Sequence, residues 1–304
     1  MPRDFLSIDD VTSDELHQLL EQAAKMKQSP ADHASRIEGR QIAVIFEKPS
    51  TRTRVSFEVA ISSMGGHAVI LSSNELQLGR GESIEDTGRV LERYVDAIVV
   101  RTFGQERLEA MADAAEVPVV NALSDYEHPC QILADLLTIQ EKKGDPQGLT
   151  LTYLGDGNNV AHSLLLGGAL LGMWVRVATP PGFEPIPQVV ERANEIGEKT
   201  GGGAEVTNDP KAAAEGADVL YTDVWASMGQ EAEHDERVLV FNSYRLDSSA
   251  VERAADDVLV LHCLPAHRGE EITDEVIDGP HSVVWDQAEN RLHTQKALMA
   301  WLLG

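Results

Sequence analysis

Residue types suited to holding an anion or moving a proton occur at five places in this chain, each directly after an apolar run rich in β-branched residues. The first is FEKPSTRTRVSFEVA, where Pro49 ends the run and Ser50 and Thr51 can cap a helix beginning near Arg52. A helix start of this kind offers free backbone N–H groups at the positive end of its dipole, and here Thr53, Arg52 and Arg54 stand beside them; dipole plus guanidinium is an anion site. Ser-Thr alone would read equally well as an ordinary N-cap. The G-x-x-x-x-G-K pattern is absent, so this is no P-loop. The second place is AIVVRTFG, with Arg101 at the tip of a buried-looking strand and free to reach into a crevice. The third is SDYEHPCQILADLL, in which His128 precedes a Pro-started helix and Gln131 follows one turn on. The two can share a face and donate to a carbonyl-type group; a helix-start histidine satisfied by its surroundings is the alternative.

The fourth place, TYLGDGNNVAHSLL, has the strand, glycine-rich turn and helix of a dinucleotide fingerprint. The pattern requires glycine where Val160 stands, and Thr179-Pro180 occupy the end of the next strand where an acidic residue belongs. No nicotinamide site is expected, and Asn158 and Asn159 suit a small polar ligand better. The fifth place is a pair of segments, YTDVWASMGQE and LHCLPAHRGEE. Asp223 can bind an ammonium group, and Ser227, Met228 and Gly229 form a loop able to present a hydroxyl and backbone groups. Cys263 reads as a small buried hydrophobe or, with His262 and His267 near in sequence, as a covalent nucleophile.

These places need strands to deliver them. Runs at Ile42–Phe46, His67–Leu71, Ala97–Arg101 and Pro118–Ala122 read as strands separated by helices such as Arg107–Ala115. A helix over Pro129–Lys143 is followed by KKGDPQG, a polar Gly/Pro stretch with the character of a boundary. Strands resume at Leu149–Leu154, Trp174–Ala178, Val219–Thr222, Val258–Leu261 and Ser282–Trp285, Thr200–Gly203 reads as a loop tip, and a last helix covers Asn290–Leu303. Alternation of this kind predicts an α/β chain of two doubly wound, mostly parallel-sheet domains, with the active site in the cleft between them. The expected divisions are residues 1–145 and residues 146–289, with the helix 290–304 closing the chain.

Composition narrows the partners. Fifty Asp and Glu against twenty-five Lys and Arg leave a formal charge of −25 in 304 residues, which disfavours nucleic acid and anionic membrane surfaces. Only eight of the cations are lysine, and the acidic excess is scattered rather than gathered in a tail. A solvated acidic surface over an ordinary core is expected of a protein working at high salt, where screening removes self-repulsion. Cys130 and Cys263 make no disulfide framework and no zinc-type CxxC pair. The N-terminal stretch lacks a continuous apolar core and no run reaches about 18 apolar residues, so a soluble cytoplasmic protein is expected.

Taken together, Ser50-Thr51-Arg52-Thr53-Arg54, Arg101-Thr102-Phe103, His128-Pro129-Cys130-Gln131, Asp223-Val224-Trp225-Ala226-Ser227-Met228-Gly229 and His262-Cys263-Leu264-Pro265 resemble the ornithine carbamoyltransferases in order and spacing across essentially the whole chain. The first and third motifs are shared with aspartate carbamoyltransferases; the SMG and HCLP elements are what select ornithine. The resemblance implies a carbamoyl-phosphate domain followed by an ornithine domain, a C-terminal helix over 290–304 that joins residues 1–145, no metal, no organic cofactor, and a catalytic homotrimer or a multiple of it. It places carbamoyl phosphate on Ser50, Thr51, Arg52, Thr53, Arg101, His128, Pro129, Cys130, Gln131, Cys263, Leu264 and Arg291, with Gln77 reaching in from a neighbouring subunit. Ornithine falls to Asn159, Asp223, Ser227 and Met228, and catalysis to Arg101, His128 and Cys263. Gln77 and Arg291 rest wholly on the resemblance, since their own contexts read as a loop and a surface helix start. The remaining readings are a carbamoyltransferase for putrescine or an acylated ornithine, a catalytically silent metabolite-binding relative, and, most distant, a dehydrogenase.

Overall fold

Among the residues that the computed structural model describes, 3–72, 81–226 and 233–304, two parallel sheets organise the chain. It divides into two compact units, residues 1–134 with 291–304 and residues 135–290. Both divisions fall inside helices, α5 (Pro129–Lys143) and α12 (Val284–Leu303). Among the described residues no helix is long and apolar enough to cross a membrane.

In the first unit β1 (Gln41–Phe46), β2 (His67–Ser72), β3 (Ala97–Arg101) and β4 (Val119–Leu123) lie in the order β2-β1-β3-β4. The strands β1, β3 and β4 are near-continuous apolar runs, as a sheet covered on both faces requires. Helices α1 (Ser13–Gln28), α2 (Thr51–Ser63), α3 (Ile84–Leu91) and α4 (Gln105–Ala114) belong to this unit, and Leu108 and Met111 of α4 join Ile45, Ile98, Val100 and Val119 in one core cluster. The strand order reverses between β1 and β3, and there Phe46 pairs with Arg101. At the same residue the β3–β4 register slips: Val100 faces Asn121, but Arg101 faces Leu123. A bulge of this kind re-aims the side chain beside it.

The second unit carries β5 (Thr150–Leu154), α6 (Asn159–Leu170), β6 (Trp174–Ala178), α7 (Pro187–Thr200), β7 (Gly203–Thr207), α8 (Pro210–Ala214), β8 (Val219–Thr222), α9 (His234–Phe241), α10 (Ser248–Val251), β9 (Leu259–His262) and α11 (Asp274–Ile277). Sheet order is β7-β6-β5-β8-β9, all parallel, with its reversal between β5 and β8. Helix α6 is buried from Val160 to Leu170, which its composition of Leu, Ala, Gly and few polar residues permits. Its Gly168 lets β6 approach, because a Cβ there would lie 2.4 Å from Val175 Cγ2.

Two sequence expectations need correction. Ser282–Trp285 is not a strand: Ser282 makes an isolated bridge to Val260, and α12 begins already at Val284. A run of two valines and a tryptophan is too short to decide between strand and helix, and the helix-forming residues after it capture Val284. Conversely, β7 arises at Gly203, where the glycine-rich stretch was read as a loop tip. Gly201, at φ +90°, ends α7, and the short, partly exposed GAEVT pairs with β6 alone.

Candidate active site

At the carboxyl end of β1, Ser50 takes the N-cap position of α2 and its side chain accepts the Thr53 N–H at 3.2 Å. The Ser50 hydroxyl also donates to Thr53 Oγ1 at 3.1 Å, and the Arg291 guanidinium of α12 donates to the same oxygen at 2.8 Å. Thr53 is fully buried; Thr51 opens the helix and is exposed. Arg54 leaves this cluster, lying on the outer face of α2 within 3.9 Å of Glu58. The charge that sequence spacing assigned to Arg54 comes instead from Arg291, more than two hundred residues away.

The strand tip of β3 delivers Arg101 beside this helix start, held by Glu47, whose N–H donates to the Arg101 carbonyl at 2.9 Å and whose carboxylate binds Thr102 and Arg107. His128 is buried immediately before α5, and burial is the main cause holding its pKa well below the ordinary 6.5, followed by the charges of Arg291, Arg101 and Arg52. Three cations therefore converge on an imidazole that stays neutral near pH 7 and keeps one N–H to donate. Cys130 and Gln131 follow on α5, both buried. Burial pushes the Cys130 thiol up to about 12 and its Sγ donates to the Asn121 carbonyl, so it is a packing residue in chemical behaviour. Native protein treated with iodoacetamide at pH 8 is expected to leave Cys130 unmodified while the urea-unfolded chain labels fully; peptide mass spectrometry that finds native Cys130 alkylated at the unfolded rate would refute this.

In the second unit, register explains the central contact. Thr222 of β8 pairs with His262 of β9, so the residues that follow, Asp223 and Cys263, emerge side by side. Cys263 Sγ donates to Asp223 Oδ1 at 2.9 Å, and the other carboxylate oxygen accepts from Asn158 Nδ2 at 3.1 Å. Asn158 is the N-cap of α6, accepting from the N–H groups of Val160 and Ala161, with Asn159 next to it at the first helical position. Leu264, the residue after Cys263, holds a left-handed φ of +56°, strained for a side chain with a Cβ. Its N–H donates to His262 Nδ1 at 2.9 Å, which places the ring proton on Nε2, 3.0 Å from Glu271 Oε1. The His262 backbone N–H is held in turn by Gln287 Oε1 at 2.9 Å, and Gln287 Nε2 binds Asp135 at 2.7 Å.

Asp223, His262 and Cys263 present ligand atoms within 4.8 Å of one another. Both ring nitrogens of His262 are engaged as described, so this trio is a hydrogen-bonded support and not a preformed metal centre. The glycine-rich turn is equally explicit. Gly157 donates its N–H to the Phe183 carbonyl at 2.9 Å, and a Cβ on it would fall 2.3 Å from Pro185 N and 2.5 Å from Glu184 C. In a dinucleotide fold the second glycine makes room for pyrophosphate; here that room holds the chain's own backbone. Asp156 of the same turn binds Arg237 at 2.7 Å, and burial is the larger influence, raising its pKa.

Residues 3–141 match the family described as aspartate/ornithine carbamoyltransferase, carbamoyl-P binding domain, and residues 147–302 match its Asp/Orn binding domain. The chain belongs to the aspartate/ornithine carbamoyltransferase family. It is 63% identical over 304 residues to an ornithine carbamoyltransferase of Parafrankia sp. (strain EAN1pec), covering 99% of this chain and 96% of the relative. An ornithine carbamoyltransferase of Pyrococcus abyssi is 54% identical, covering 99% and 96%. The solved structure of the ornithine carbamoyltransferase from Pyrococcus furiosus superposes with a TM-score of 0.95 at 53% identity, over 98% of this chain and 96% of that one. The fold expected from sequence, α/β with two parallel sheets flanked by helices, is the one seen in this family.

Within this carbamoyltransferase frame, the structure joins Ser50, Thr53 and Arg291 by hydrogen bonds, and Arg52, Arg101 and His128 by electrostatics. It joins Cys263 to Asp223. Gln77, Ser227 and Met228 lie outside the described residues. Sequence reasoning missed Glu271 and Gln287, both fully buried and both fixing His262. Glu271 sits in a charged HRGEE string that reads as solvated surface; the apolar Ile272 right after it is the one local sign that the chain turns inward there.

Proposed function

We propose that this protein is an ornithine carbamoyltransferase, moving the carbamoyl group of carbamoyl phosphate to the δ-amine of L-ornithine to give L-citrulline and phosphate. The observation that carries the choice of ornithine over aspartate is the Asp223–Cys263 pair. A carboxylate with a thiol against it favours an amine and repels the side-chain carboxylate of aspartate. The relatives at 63% and 54% identity are named for the same reaction.

The first unit supplies the phosphate chemistry. The phosphate oxygens take the start of α2 with Ser50, Thr51, Arg52 and Thr53, supported by Arg291, and Gln131 orients the carbamoyl amide with the carbonyl groups of Cys263 and Leu264; Pro129 and Cys130 shape the same helix start. Ornithine's amino-acid end is held by Asn159, Asp223, Ser227 and Met228. An amine with a pKa of about 10 must lose its proton before it attacks. The new C–N bond forms as negative charge builds on the carbonyl oxygen, where Arg101, neutral His128 and Thr53 can donate. The proton shed before attack passes to the Cys263–Asp223 pair; the C–O bond to phosphate then breaks, phosphate leaves with the electron pair, and the second proton, acidified by the new C–N bond, goes to the leaving phosphate. The substrate arrives activated, so these steps need no organic cofactor.

The division of labour follows residues 1–145 with 290–304 for carbamoyl phosphate and 146–289 for ornithine. Assembly as a homotrimer, with Gln77 completing a neighbour's site, a place in arginine metabolism and a cytoplasmic setting belong to the same proposal. So does halophily, which the charge of −25 supports. The ureido product measured colorimetrically with ornithine, putrescine, N-acetylornithine and aspartate as acceptors, each from dilute buffer to molar KCl, is the test. Ornithine is expected to be the preferred acceptor with activity rising with salt. Product from another acceptor alone would overturn the substrate assignment, and activity falling steadily with KCl would overturn the halophilic one.

A further inference from the structure

A second group of side chains in the 135–290 unit has no part in the reaction described above. His234 opens α9, and His267 and Glu270 lie three residues apart on the turn between β9 and α11. His234 Nε2 is 3.0 Å from Glu270 Oε2, and His267 Nδ1 is 3.5 Å from the same oxygen. One ligand atom from each of the three falls within 4.8 Å of the others. The imidazole rings meet edge to face, 6.0 Å between centroids at 65°, so they converge instead of stacking.

We infer that His234, His267 and Glu270 form a binding site for a late first-row divalent cation such as Zn2+ or Co2+, with remaining positions filled by water. Two imidazole nitrogens and one carboxylate oxygen are the donor set such ions take, and a three-residue set leaves an open position. With metal–ligand bonds near 2.0–2.2 Å, neighbouring donors of a tetrahedral site stand about 3.3–3.5 Å apart. The 3.5 Å from Glu270 to His267 is already of that size and the 3.0 Å to His234 is a few tenths of an ångström short of it, so adjustment of exposed side chains brings the three donors to bonding geometry. The ring of His234 is also turned as a ligand's would be: its Nδ1 faces Asp235 Oδ1 at 3.3 Å, the outer carboxylate that orients a metal-binding imidazole through its other nitrogen.

The turn is rigid before any ion arrives. The His267 N–H donates to Glu271 Oε1 at 2.6 Å, the Glu270 N–H donates to the His267 carbonyl at 2.9 Å, and the Gly269 N–H, from a residue at φ +87°, donates to the Ile272 carbonyl at 2.8 Å. Arg245 Nε holds the Glu270 carbonyl at 2.7 Å. The backbone that carries two of the three donors is thus held by hydrogen bonds, and the side chains of all three remain about one-third to one-half exposed, open to ion and water.

The test does not depend on the reaction assignment. Co2+ is titrated into the full-length protein carrying Cys263→Ala, which removes the thiol of the other cluster, and visible d–d absorption is followed. One Co2+ per chain is expected, with His234→Ala and His267→Ala each weakening binding at least tenfold and His17→Ala, on α1, leaving it unchanged. Equal affinity in the parent and in the His234→Ala/His267→Ala double variant overturns the site. A measurement without substitutions covers a variant that fails to fold: Zn2+ is expected to slow diethyl pyrocarbonate modification of His234 and His267, read by peptide mass spectrometry, at least fivefold relative to His17. Equal rates with and without Zn2+ overturn it as well.

Discussion

Replacing Arg101 with leucine is expected to lower kcat for citrulline formation by about 10²–10³, the range seen when one donor to a developing oxyanion is removed. The residue stands where the strand order reverses, at the tip of β3 opposite Phe46, and the register slip against β4 turns it away from a regular ladder position. Leucine retains most of the buried stem, so the loss falls on charge and donors and not on packing. A second readout follows from His128. Arg101 is one of three guanidiniums that depress its pKa after burial, so Arg101→Leu should move the His128 titration upward, visible in the imidazole NMR signals. The sign for stability is fixed by the same shift. A histidine with a folded pKa below 6.5 gives its full contribution above the unfolded value, and that contribution is lost as pH falls from 6.5 towards the folded pKa. The variant should therefore show a weaker acid destabilisation from this residue. A kcat within threefold of the parent, with the His128 titration unmoved, would remove Arg101 from the site.

The second large effect is expected from Cys263→Ala, with kcat reduced about 10²-fold, the lower range for a group that takes part in proton transfer. Carbamoyl phosphate affinity measured by calorimetry should change little. The thiol in this structure donates to Asp223, so it takes up a substrate proton only by passing its own to the carboxylate. Cysteine and aspartate then form one proton-accepting unit, and Asp223→Asn combined with Cys263→Ala should cost far less than the product of the two single losses. Folding is not expected to suffer: the Val224 N–H still binds Asp223 Oδ1 at 2.8 Å when the thiol is gone, and Asn158 still binds the other oxygen. Turnover unchanged across the pH range would exclude the thiol from proton transfer.

Much of the strand framework was legible because these sheets are parallel and buried, which writes β1 and β3 as unbroken apolar runs, Ile42–Phe46 and Ala97–Val100. The helix starts were legible for a related reason, since Ser50 and Asn158 announce themselves by type and position. What local pattern could not carry was pairing across distance. Spacing put Arg54 beside Thr53 and left Arg291 a surface helix start, and only folding turns Arg291 towards Thr53 and Arg54 away. Gln287 and Glu271 were hidden likewise, because a buried polar residue in a polar string has no periodic signature. The strand β7 escaped since an edge strand that is half exposed has neither the apolar run nor a clean alternation. The Asp223–Cys263 contact, in contrast, follows from register alone once β8 and β9 are known to be neighbours.

The turn at Gly157 has a consequence for what the protein ignores. Its N–H and the space over its Cα are taken by the backbone of residues 183–185. That segment acts as a tethered competitor: joined to the same chain by a couple of dozen residues, it is present at an effective concentration that short tethers typically set near the millimolar range. A nucleotide in solution would have to displace it before touching the turn, while forfeiting the hydrogen bond from Gly157. The second sheet thereby keeps a nucleotide-type topology while its glycine turn is occupied by the chain itself.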